Sequence, residues 1–114
     1  MPTQEELLVH LWKSVINSNM DETSLQRTVE DDARRPGEPF ADTGPAISRL
    51  LALGASPRDI CLIMRYASYS AVFSTLYALD DPGVDGDNVF MLHESLLTSD
   101  PSGMEGRPGS AGVV

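Results

Sequence analysis

A chain of 114 residues has the length of one small domain, and its 41% hydrophobic and 22% charged residues are those of a folding sequence rather than a disordered one. Seventeen acidic residues against eight basic ones give a net charge of −9, which repels nucleic-acid phosphates and anionic lipid headgroups and favours a cation or a basic protein as partner. With Cys61 as its single cysteine the chain has no intrachain disulfide, so a secreted disulfide scaffold is excluded.

The first residues, "MPTQEELLVHLWKS", are acidic and carry no apolar run leading to a small-residue cleavage site, so no signal peptide is expected. Thr3 and Glu6 stand in the T-x-x-E spacing of a capping box, which predicts a helix start. Behind them Leu7, Leu8, Leu11, Trp12, Val15 and Ile16 recur in pairs four apart, while Glu5, Glu6, Lys13 and Asn17 fall largely on the other side. The expected first helix covers 4–18.

Asp21 is the expected N-cap of a second helix over 22–34, with Met20 and Leu25 placed as a hydrophobic staple. Its apolar stripe is thin, only Leu25, Val29 and Ala33, so a surface helix with Glu30, Asp31 and Asp32 in water is expected. Arg34 and Arg35 suit the negative end of the helix dipole, and Pro36 with Gly37 ends it. "PGEPFADTGP" reads as a loop, from which Phe40 is expected to plug onto the core.

Thr43 is the expected cap of a short third helix with Pro45 in its first turn, Ile47, Leu50, Leu51 and Leu53 on its apolar face, and Gly54 in the left-handed position after it. In "SPRD" Ser56 caps, Pro57 takes the first helical position and Asp59 the third. The fourth helix then runs over 57–80 until "DDPG" stops it. Within it the window from Tyr66 to Leu79 holds no formal charge, and at fourteen residues it is shorter than the ~18 that a membrane span requires. Leu62, Tyr66, Tyr69, Phe73, Leu76 and Tyr77 form a bulky side, whereas Ile60, Ile63, Met64, Ala67, Ala71, Ser74 and Ala78 form a second, increasingly small one. Val89, Phe90, Met91, Leu92, Leu96 and Leu97 point to a last short helix, with a strand over 89–92 as the alternative. The Gly-, Pro- and Ser-rich residues 99–114 read as an extended or mobile tail beyond a single helical domain of 1–98.

Groups able to do chemistry are sparse. His10 and His93 lie far apart without metal-ligand spacing, Cys61 sits among apolar neighbours that raise a thiol pKa, and no phosphate loop or nucleophile elbow is present. Asp80, Asp81, Asp85 and Asp87 with Asn88 are hard oxygen donors, but their spacing fails the calcium-loop pattern and fits a solvated turn. Tyr66, Tyr69, Phe73 and Tyr77 combine apolar area with polar tips, a composition shared by helix cores and protein interfaces.

The sequence therefore predicts an all-α fold of four to five helices around a long one near 57–80, soluble and cytoplasmic. The expected function is that of a non-enzymatic module without a cofactor, which binds a basic protein partner in the manner of an inhibitor, immunity protein or antitoxin. Its expected contact residues are Glu30, Asp31, Asp32, Tyr66, Tyr69, Phe73 and Tyr77. Two other classes stay open: a metal-assisted hydrolase on Asp81, Asp85 and Asp87, and a homodimer with a Tyr-rich seam.

Overall fold

The computed structural model describes residues 3–79 and 95–108. Among the described residues every regular element is helical: α1 (Gln4–Leu11), a π-helical turn (Trp12–Ile16), α2 (Thr23–Arg34), α3 (Thr43–Ala52), α4 (Pro57–Leu79) and a 3-10 turn (Leu97–Ser99). The protein is all-α, as its periodicity indicates, and no helix among the described residues is long and apolar enough to cross a membrane. The chain divides into two compact units. One holds the described residues up to Ser18 and from Tyr66 onward, the other is Asn19–Arg65, and the boundary falls inside α4.

In the first unit the Glu6 amide donates to the Thr3 hydroxyl oxygen at 3.1 Å, the cap that the T-x-x-E spacing requires. The return contact is different from the standard box: the Thr3 hydroxyl donates to the Glu6 carboxylate at 3.2 Å. Leu8, Trp12 and Ile16 are buried and stand four apart. Positions four apart drift around an α-helix of ~3.6 residues per turn. The wider π turn, in which the Asn17 amide reaches back to the Trp12 carbonyl at 2.9 Å, counters that drift and returns Ile16 to the buried side. With Leu76 and Leu96 these three residues form the core of the unit, flanked by Leu7, Leu11, Tyr69, Val72, Phe73 and Leu97.

Residues 99–108, expected as an extended tail, instead fold into turns. The buried Asp100 carboxylate accepts from the Ser102 amide at 2.9 Å and the Gly106 amide at 2.8 Å, and the Gly103 amide bonds to the Asp100 carbonyl at 2.9 Å. Each of these bonds satisfies a backbone donor that would otherwise interrupt close packing. The apolar run 89–92 and the acids from Asp80 to Asp87 lie outside the described residues.

The second unit is built on Leu25, Ile47, Ile60 and Cys61, with Met20, Val29, Leu51, Ala55 and Met64 packed around them. Asp21 serves the start of α2 from one residue before the Glu22 cap position, which makes no side-chain bond of its own: the Asp21 carboxylate accepts from the Thr23 amide at 3.0 Å and the Thr23 hydroxyl at 2.8 Å. Ser56 caps α4 through the Asp59 amide at 3.3 Å. Gly54 takes φ +97° after α3, a conformation open to it because it lacks a Cβ.

Four expectations for this unit are corrected. Thr43 does not cap α3 but is its first helical residue, and Asp42, which precedes it, makes no side-chain cap. The cap comes from another helix: the Asp32 carboxylate accepts the Gly44 amide at 2.6 Å, so Asp32 is half-buried rather than in water. Phe40 does not plug the core. It is 84% exposed at φ +64°, and Ala41 is the loop residue that is buried. The turn with left-handed Phe40 inside it, closed by the Ala41 amide on the Glu38 carbonyl at 3.1 Å, presents the ring to solvent while feeding the small Ala41 inward. Finally, Leu50 and Leu53 are exposed, leaving Ile47 and Leu51 as the packed residues of α3.

Gly44 marks the tightest approach between α2 and α3, since a Cβ there would lie 2.9 Å from the Asp32 Cβ and 3.0 Å from the Thr28 carbonyl oxygen. Gly44→Ala is expected to cost about 1–2 kcal/mol, the overpacking penalty outweighing the helix-propensity gain of ~1 kcal/mol. Urea unfolding followed by circular dichroism measures it, and an unchanged or higher midpoint would mean that the crossing yields freely.

Candidate docking face on the long helix

The C-terminal half of α4, in the first unit, carries Tyr69, Phe73 and Tyr77 at successive four-residue steps, which stacks their side chains along one face. Their rings form a ladder that starts on Trp12. Ring centroids are 5.7 Å apart for Trp12 and Tyr69, 6.2 Å for Tyr69 and Phe73, and 6.4 Å for Phe73 and Tyr77, spacings at which aromatic pairs attract. Exposure rises along the ladder: Trp12 is buried, Tyr69 and Phe73 are half-buried, and Tyr77 is 61% exposed. Tyr66 is 71% exposed on the same helix.

This gradient gives the four aromatics two jobs. Tyr69 and Phe73 pack against the Trp12 core, and their contribution is to stability. Tyr66 and Tyr77 leave most of their ring area to solvent on a helical stretch without a formal charge. Burial pushes the Tyr69 phenol above its ordinary value, and the nearby Tyr66 adds to the shift, because an anion there would lose hydration and face a second phenolate.

On another flank, Leu11 of α1 and Val15 of the π turn face Ser68, Ala71, Val72, Thr75 and Leu76 across a groove of about 330 Å³. Sequence reasoning did not find this groove. Its α4 wall takes Ala71 from the small side of the helix and Leu76 from the bulky one, together with Ser68, Val72 and Thr75, which periodicity assigned to neither, and Val15 lies on the π turn, which has no sequence signal.

The other sequence-derived residues fall elsewhere. Glu30 and Asp31 are exposed on α2 in the second unit, where Glu30 accepts from Gln26 at 3.1 Å and Asp31 pairs with Arg34. An exposed pair of this kind contributes ~0–1 kcal/mol. Asp32 is committed to the α3 cap. Asp81, Asp85, Asp87 and His93 lie outside the described residues, and no group of metal-ligating side chains occurs among the described ones. His10 is exposed, with Nδ1 3.3 Å from the Ser14 hydroxyl. Cys61 is buried, and that burial is the main cause of its raised thiol pKa, with Glu22 adding to it and Arg58 opposing it. Such a thiol is a packing group rather than a nucleophile.

No family model, curated protein or solved structure matches the chain.

The raised Tyr69 pKa fixes a pH dependence. The folded state holds the phenol proton more tightly than the unfolded chain, so this stabilisation is complete below the ordinary tyrosine value of ~10 and is lost as pH rises through the Tyr69 value. Absorbance titration is expected to show an ionisation displaced upward in the wild type and missing in Tyr69→Phe. An identical titration of the two proteins, less one ordinary tyrosine, would contradict the assignment.

Proposed function

We propose that this protein is a non-enzymatic interaction module that docks a basic protein partner on the aromatic face of α4. The observation that carries the reading is the exposure of Tyr66 and Tyr77, at 71% and 61%, on an uncharged helix face of a protein with a net charge of −9. Tyrosine is favoured at interfaces because a large ring is immobilised at small entropic cost and its hydroxyl stays hydrogen-bonded at the rim. The net negative charge supplies the long-range part, drawing a basic partner in before contact is made.

The two parts separate by experiment. Native mass spectrometry of the protein purified gently from its own host at low salt is expected to show a stoichiometric basic protein. That partner is lost in Tyr66→Ala/Tyr77→Ala, whose circular dichroism matches the wild type because neither ring is core. Raising salt to physiological strength, where the screening length is ~8 Å, is expected to slow association in the wild type. A partner retained by the double variant would contradict the docking face. A homodimer dissociated by the same substitutions would assign the face to a second copy instead.

A further inference from the structure

We infer that Met20 and Met64 form a reversible oxidation site that governs how firmly the second unit closes over Cys61. Both thioethers pack against the buried residues Leu25, Ile47, Ile60 and Cys61, and both are half-buried, so each keeps part of its surface in water. Met64 follows Cys61 by three residues on α4, which places it one turn away on the same side of the helix, and Met20 stands just before α2. A thioether reacts with a peroxide without first losing a proton. The sulfur lone pair attacks one peroxide oxygen, an S–O bond forms as the O–O bond breaks, and the departing hydroxide takes the remaining proton to become water. Sulfur is oxidised by two electrons to the sulfoxide and the peroxide is reduced. Cys61 is not the first target, because its reactive form is the thiolate, and the thiol is buried with its pKa pushed up by that burial. The sulfoxide is polar and loses hydration when set against apolar side chains, so the oxidised residues turn to water and leave Cys61 less covered.

Cys61 is the reporter, being the chain's single thiol. The full chain is treated with dilute hydrogen peroxide, the oxidised residues are located by peptide mass spectrometry, and the rate of Cys61 alkylation by a neutral maleimide is measured. Oxygen is expected on Met20 and Met64 with the thiol intact. Alkylation is expected to be about tenfold faster, since a buried thiol reacts through openings whose population rises as packing loosens. Methionine sulfoxide reductases are expected to restore the slow rate. Met20→Leu/Met64→Leu keeps side-chain volume and removes sulfur, and its rate is expected to stay within about twofold of the untreated wild type before and after peroxide. Met104→Leu, in the other unit, is expected to keep the full acceleration.

Methionines that stay unoxidised in the folded protein, oxidation of Cys61 ahead of them, or two sulfoxides with an unchanged alkylation rate would each overturn the inference. A leucine variant accelerated by peroxide as much as the wild type would move the effect to other methionines and overturn it too. For a leucine variant loosened before any peroxide, the reductase cycle on the wild type decides: a rate that stays fast after repair of both mapped sulfoxides contradicts the inference.

Discussion

The first unit depends on the seating of one side chain. The Trp12 indole is buried against the Tyr69 ring, and its Nε1–H donates to the Leu96 carbonyl at 2.8 Å, a contact between residues 84 apart in sequence. Gly106, held at φ +71° by the Asp100 carboxylate, passes so close that a Cβ there would sit 3.8 Å from the indole and 3.3 Å from Leu97. One ring thus joins α1, the second half of α4 and the segment around 95–106. A fully buried Trp is worth about 3–5 kcal/mol against Ala, comparable with a large part of the ~5–15 kcal/mol that stabilises a small protein. Loss of the indole would also leave the Leu96 carbonyl unsatisfied in a dry site.

The second unit solves a different problem with a carboxylate. α3 begins without a cap of its own, and Asp32 reaches from α2 to its second residue, the glycine that permits the helices to approach. A charged acceptor on a helix N-terminus gains from both the hydrogen bond and the dipole. This removes Asp32 from the acidic residues available for steering a partner and leaves Glu30 and Asp31 exposed on the α2 surface.

Legibility followed the range of the interaction. Helix starts set by local chemistry, at Thr3, Asp21 and Ser56, were readable because the capping oxygen and the amide it accepts lie two or three residues apart. The cap of α3 was not, since its acceptor is twelve residues away and Thr43 offered a plausible local substitute. Phe40 and Leu53 were misplaced because hydrophobicity alone assigns large apolar residues inward, whereas the turn at φ +64° and the end of α3 expose them. The candidate face was legible as a row of aromatics, but its division was not. Periodicity places Tyr66, Tyr69, Phe73 and Tyr77 together, and it is the packing of Tyr69 and Phe73 against the core around Trp12 that sets them apart from the exposed pair.

That division is the central claim, and paired stability measurements test it most directly. Tyr69→Ala is expected to lower the unfolding free energy by about 1–3 kcal/mol and Tyr66→Ala to leave it within about 0.5 kcal/mol of the wild type, as urea midpoints at constant slope would show. A Tyr66→Ala loss as large as that of Tyr69→Ala, or a neutral Tyr69→Ala, would contradict the assignment of one ring to the core and the other to the exposed surface.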